Sequence, residues 1–151
     1  MPLAKIHVVE GRYDDDRIAK VSGAIQAALM HTLGVPPEDF YQLVFELPKK
    51  RFLHTPSFVG MRYSDDLIIL ELTFIAGRSK ETRLALLKDV NNRVAVAARV
   101  SADDLMIMLY EAPGENFSFG QGDAQRANAV PRELSADLTH NASDRPRDVI
   151  R

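Results

Sequence analysis

Residues 11–48, GRYDDDRIAKVSGAIQAALMHTLGVPPEDFYQLVFELP, and residues 77–113, GRSKETRLALLKDVNNRVAVAARVSADDLMIMLYEAP, are two versions of one pattern. Each opens Gly-Arg and carries an arginine six residues after the glycine (Arg17, Arg83). Each then runs through helical periodicity, crosses an acidic loop and ends in an apolar strand with Glu and then Pro; one gap aligns them. A strand-like run precedes each copy, LAKIHVV before the first and DLIILELTFIA before the second. A crossover helix of this length joins parallel strands and packs on one sheet face. The reading is an α+β fold: a duplicated β-α-β unit, with repeats at about residues 2–48 and 66–113, forming a four-stranded sheet with two helices on one face.

The helices carry their own start and stop signals. Asp14, Asp15 and Asp16 crowd the start of the first, where carboxylates cap free N–H groups, and Gly34 stops it. Its apolar stripe is Ile18, Val21, Ile25, Ala28, Leu29 and Leu33. Ser79 is the N-cap expected for the second, with Leu84, Leu87, Val90, Val94 and Ala97 as its stripe. With both helices on one side, the other sheet face is bare. LIILELTFI and LMIMLY are too apolar for water, and Ile68, Leu70, Leu72 and Met106 are the residues expected there, so the chain is expected to oligomerise.

Composition bounds the function. The 151 residues are 46% hydrophobic and 26% charged, without a run of eighteen apolar residues or a signal-peptide pattern, which predicts a soluble, cytoplasmic domain with no membrane partner. Nineteen basic against 21 acidic residues leave a formal charge of −2, which gives no attraction to nucleic acid. There is no cysteine, hence no disulfide, thiolate metal site or thiol nucleophile. The four histidines (His7, His31, His54, His140) show no i, i+4 pairing, so neither a metal nor another cofactor is expected. His7 falls in the first strand and His31 near a helix end, both as structural residues; His54 sits in a loop and stays a candidate. Residues 1–123 read as the folded domain, with 49–65 a connector punctuated by Pro56 and Gly60, and 124–151 as a polar tail.

Pro2 stands directly before the first strand. A residue without an N–H is permitted at a strand start, and this is the ordinary account of it. If Met1 is trimmed, Pro2 also becomes a terminal secondary amine, and α-amino groups titrate at about 7.7–8.0, close enough to neutrality to move protons.

Taken in order, Pro2 before a strand, EGR after it, GVPPEDFYQ, LTFIAGRS and ENFSFGQG make the chain resemble the tautomerase superfamily, within it the malonate semialdehyde decarboxylase-like branch, over roughly residues 2–122. The resemblance implies a homotrimer with an active site near each N-terminal proline. It implies Pro2 as the catalytic amine, Asp39 as its acidic partner and Arg78 as the catalytic cation that anchors a substrate carboxylate. Phe117 and Phe119 would wall the pocket, with Tyr41 a further substrate-binding residue. The residues alone leave each role open: Asp39 also fits a plain turn residue like its repeat counterpart Asp104, Arg78 a solvated first-turn arginine like Arg12, and the aromatics a core.

One departure matters. Decarboxylases of this branch carry two arginines separated by one residue at the start of the second helix, whereas AGRS keeps only Arg78. Decarboxylation of a 3-oxo acid needs fixed positive charge on the carbonyl that accepts the electrons, so this loss disfavours it unless Arg62 or Arg83 substitutes. Arg83 matches Arg17 in the other repeat, which favours a structural role for both. The expected activity is therefore proton transfer on a small 2-oxo or enol carboxylate. A decarboxylase or hydratase of a three-carbon semialdehyde or unsaturated acid is the alternative. A non-catalytic oligomeric binding protein, with the tail as contact segment, is the third.

Overall fold

Strict alternation makes the two central strands. In β1 (Pro2–Val9), Ala4, Ile6 and Val8 are fully buried while Leu3, Lys5 and His7 are partly exposed, the period-two signature of a strand covered on one face. β5 (Ile68–Ile75) repeats it, with Ile68, Leu70, Leu72 and Phe74 inside. The computed structural model describes residues 1–128. Much of the polar segment expected at 124–151 lies outside the described residues.

Helix α1 (Asp15–Leu33) is capped by Asp14, whose carboxylate accepts from the Arg17 N–H, and closes on Gly34 in the left-handed region at φ 64°. Helix α2 (Lys80–Ala98) is capped by Ser79, which accepts from the Thr82 N–H. The α1 stripe is as expected: Val21, Ile25, Ala28, Leu29 and Leu33 are buried and Ile18 packs against them. On α2 the stripe is rotated. Leu86, Val90, Val94 and Ala98 are buried, Leu84 is exposed, and Leu87 and Ala97 are only partly covered. Leucines and alanines all round this helix left its phase undecided by pattern.

Strand β2 (Tyr41–Leu47) runs parallel to β1, and β6 (Leu105–Ala112) parallel to β5, each joined by its crossover helix. β1 and β5 pair antiparallel, so the sheet order is β2-β1-β5-β6 and the two β-α-β copies lie head to tail. Both helices pack on one face over a single core shared by β1, β5, α1 and α2. Burying each of its large aliphatic side chains contributes about 1.5–3 kcal/mol.

The other face is open, but its residues are not the ones expected. Ile68, Leu70 and Leu72 point to the helices and are fully buried; among the four expected residues Met106 alone lies on the open side, beside Ile69. The register there sets Tyr41, Leu43 and Phe45 on β2 beside Leu3, Lys5 and His7 on β1, then Thr73, Glu71 and Ile69 on β5, then Tyr110, Met108 and Met106 on β6. His7 stacks on Phe45 at 4.8 Å and bonds Glu71 at 2.9 Å, so a polar pair sits within an apolar rim.

The connector is more ordered than a loop. A 3-10 turn (Lys49–Arg51) leads to a hairpin of β3 (Ser57–Phe58) and β4 (Met61–Arg62). Phe52 tucks against Val9 and Leu67 in a small second cluster. The hairpin tip is Val59-Gly60, both at positive φ.

Candidate active site

Because β1 runs parallel to β2 and antiparallel to β5, the starts of β1 and β2 and the ends of β5 and β6 meet at one end of the sheet. Pro2, buried, opens β1 opposite Phe74; Leu3 faces Tyr41. The chain's terminal ammonium, on Met1, lies 3.0 Å from Asp39 Oδ2, with both side chains only 16% exposed. The Tyr41 and Phe119 rings lie 6.4 Å apart, tilted at 57°. Arg78 reaches this end as the residue before the α2 N-cap, three beyond the end of β5. Phe117, half-buried, follows the 3-10 turn (Gly114–Asn116) after β6. All six expected residues thus come to one edge on four segments.

The aromatic loop is tied down. Gln125 accepts from the Phe119 N–H at 3.0 Å and donates to the Gly120 carbonyl at 3.0 Å. A Cβ at Gly114 would run into the Arg126 carbonyl, so glycine is what lets residues 124–127 close over this turn.

The head-to-tail repeat supplies an internal control. Leu3 faces Tyr41 as Ile69 faces Met106, so Pro2 corresponds to Ile68 and Asp39 to Asp104. In the second copy the Ile68 N–H donates to the Asp104 carbonyl at 2.9 Å. The Asp104 carboxylate, 4% exposed, accepts from the Ser64 N–H at 2.7 Å and the Ser64 hydroxyl at 2.6 Å. In the first copy proline has no N–H to give. The Asp39 carbonyl is reached instead by the Gln26 amide at 3.3 Å, and the Asp39 carboxylate faces the chain terminus. One aspartate is sealed into the scaffold; its twin is turned to an amine.

Arg12, the counterpart of Arg78, places Nε and Nη2 on Asp66 Oδ1, each at 2.9 Å, so its fork is occupied. Tyr13 donates to the Asp66 carbonyl, and burial pushes its phenol far above the ordinary value. Arg17 and Arg83 have one shared task. Arg17 Nη1 donates to the Arg12 carbonyl at 2.9 Å, and Arg83 Nη1 to the Arg78 carbonyl at 2.6 Å, with Glu111 3.3 Å away. Arg83 is therefore a brace for the Arg78 turn. Arg62 lies on the connector hairpin, its N–H on Asp103, at the far end of the sheet.

His54 is exposed beside Phe52 and Tyr63, also at the far end, about 23 Å away along an eight-residue strand. His31 closes α1 with Nδ1 3.1 Å from Asp89, which Arg93 also bonds at 2.9 Å. That ion pair borders a groove of about 560 Å³ between the helices, lined also by Thr32, Glu81 and Lys88. Among the described residues no three His, Cys, Asp or Glu side chains form a metal-binding group, and no helix is long and apolar enough to cross a membrane. Ser64 and Asp66 escaped sequence reading because their partners lie 40 and 54 residues away; Gln26, 13 residues from Asp39, had as its one signal a polar residue on the apolar face of α1.

A family model described as "Tautomerase enzyme" matches residues 39–120, a span that does not include Pro2. The chain is 30% identical to the probable tautomerase YusQ of Bacillus subtilis strain 168 over 125 residues, covering 83% of this chain and 98% of that one. Among solved structures, a malonate semialdehyde decarboxylase described with decarboxylase and hydratase activities is similar at TM-score 0.74 and 26% identity, covering 81% of this chain and 93% of that one. A fused 4-OT, an asymmetric trimer, shares the fold at TM-score 0.67 and 23% identity, covering 81% of this chain and 95% of that one. By its duplicated fold, by the family model that spans more than half of it and by its full-length relatives, this chain belongs to the tautomerase superfamily.

Proposed function

We propose that the protein is a cofactor-independent tautomerase that moves a proton between oxygen and carbon of a small 2-oxo or enol carboxylate, with the Pro2 amine, freed by removal of Met1, as proton carrier. The observation that carries this reading is the chain terminus held 3.0 Å from the Asp39 carboxylate, in the copy where Asp39 is free of the Ser64 lock that closes on Asp104. Trimming one residue moves the amine by a single peptide unit, about 3.8 Å between α-carbons, and keeps it at the same sheet edge. The solved malonate semialdehyde decarboxylase was studied with a mutant in which its first residue, a proline, is alanine, which supports a terminal proline as the working group.

In this reading the neutral amine takes the enol proton and returns a proton to carbon, while Asp39 orients the ammonium form between the two steps. Arg78 holds the substrate carboxylate in its planar fork, with the free N–H groups at the α2 start adding positive potential. Tyr41, Phe117 and Phe119 form the apolar wall. The fused 4-OT trimer supports covering of the open face by two further copies of this chain, as a homotrimer.

Decarboxylation or hydration is the second reading, favoured by the malonate semialdehyde decarboxylase relative. Against it, Ala76 stands where the branch carries its first arginine, Arg83 is engaged on the Arg78 carbonyl and Arg62 lies at the far end of the same chain. Product analysis with malonate semialdehyde separates the two. The direct test is intact mass followed by an assay of phenylenolpyruvate ketonisation. Protein lacking Met1 should be active, and protein with a residue fixed before Pro2 should be inactive but equally oligomeric. Full activity in a chain that retains Met1 rules the amine out and returns attention to His54, and inactivity of both forms returns it to a non-catalytic binding role.

A further inference from the structure

We infer that Gln26 is a positioning residue for Asp39: its side-chain amide replaces the backbone hydrogen bond that a proline at position 2 removes, and so holds the Asp39 carboxylate against the amine. This rests on the proline reading above. Among the described residues Gln26 and Asp104 are buried polar side chains, and Gln26, 9% exposed, sits on the α1 face that otherwise presents Val21, Ile25, Ala28 and Leu29. A buried amide there is costly unless it is bonded. Its Nε2 donates to the Asp39 carbonyl at 3.3 Å.

The second copy shows what this bond replaces. Counting from the N-caps Asp14 and Ser79, Gln26 corresponds to Asn91. There the Ile68 N–H already satisfies the Asp104 carbonyl, and the shorter Asn91 amide donates to Ala102 at 2.9 Å instead. In the first copy position 2 offers no donor, and the longer glutamine reaches the aspartate itself. The Asp39 backbone is then fixed at both polar groups, its N–H on the Pro36 carbonyl at 3.0 Å and its C=O by Gln26. Without Gln26 only the turn remains.

A positioning role predicts a loss in kcat that passes through Asp39. Gln26→Met and Gln26→Asn, the second polar but one methylene too short, should each lower kcat for phenylenolpyruvate roughly tenfold with KM little changed, since misplaced catalytic groups cost rate before binding. In an Asp39→Asn background the same substitutions should cost nothing further, because the group they position is already gone. A role confined to helix packing gives equal losses in both backgrounds, and that result, or unchanged kcat in whichever single variant folds, overturns the inference. Activity that survives a residue fixed before Pro2 overturns the proline reading and this role together. Loss of activity there, with unaltered Gln26 variants, overturns this role alone.

Discussion

Asp104→Ala should destabilise the fold by about 2–4 kcal/mol, whereas Asp39→Ala should cost no more than about 1 kcal/mol and lower activity by about 10²-fold. The magnitude follows from the two environments. The Asp104 carboxylate is 4% exposed and accepts two short bonds, 2.7 Å and 2.6 Å, from Ser64. Hydrogen bonds to a charged group contribute about 1.5–3 kcal/mol each, and Ser64 lies at the surface, where water recovers part of the loss. Asp39, 16% exposed, has the chain terminus as its ion-pair partner, and an ammonium at the end of the chain can turn to water once the carboxylate is gone, which keeps the loss to that of a single net hydrogen bond, about 1 kcal/mol. For a domain of this size the Asp104 loss corresponds to a fall in Tm on the order of 10 °C. Thermal unfolding followed by circular dichroism, at one fixed protein concentration because assembly makes Tm concentration-dependent, measures both variants. Asp104→Ala melting within about 1 kcal/mol of the parent, or Asp39→Ala losing as much, refutes the division of labour between the copies.

Arg78→Ala should lower kcat/KM for phenylenolpyruvate by about 10²-fold, while Arg12→Ala, which removes the Asp66 pair, should leave activity within about twofold and cost stability instead; equal activity losses would show the wrong arginine was chosen. Leu43→Asp combined with Met106→Asp, both on the open face, should yield monomers by light scattering with the helical content intact, and an unchanged mass would place the interface elsewhere. Desolvation pushes the Asp89 carboxyl up, but hydrogen bonds from Arg93 and His31 outweigh it and hold the folded group below its ordinary value. Its stabilising contribution is therefore present above the ordinary carboxyl range and lost as pH falls through the lowered value. Urea midpoints of Asp89→Asn should lie below the parent at neutral pH and converge with it as acidification protonates the parent's carboxyl; a gap that does not narrow contradicts the ion pair.

The duplication made the fold legible, because strand alternation and the N-caps Asp14 and Ser79 occur in both copies and agree, with Gly34 closing the first helix. What the pattern could not set was phase. β5 alternates Ile, Leu, Leu, Phe on one face with Ile, Glu, Thr, Ile on the other, and a chain this apolar does not announce which face meets the helices; the Glu and Thr were the clue, and they lie on the open side. The candidate site residues were named by resemblance to a family, and the sheet end gathers them. The locks on Arg12 and Asp104 were not legible, since Ser64 at the end of the connector and Asp66 just after it act across forty or more residues of chain.

The head-to-tail arrangement of the copies has a consequence for the ancestry and redesign of such a chain. A polypeptide has one amino terminus, so chemistry that depends on a terminal amine can exist only once per chain, however faithfully the scaffold is duplicated. At the second copy's equivalent position, Ile68 is joined to Leu67 by a peptide bond, and proline there would still be an amide. No point substitution can therefore give that half a terminal amine. Under the proline reading, it would take a circular permutation that opens the backbone between Leu67 and Ile68, together with release of the Ser64 clasp on Asp104, to move the proposed site from one pole of the molecule to the other.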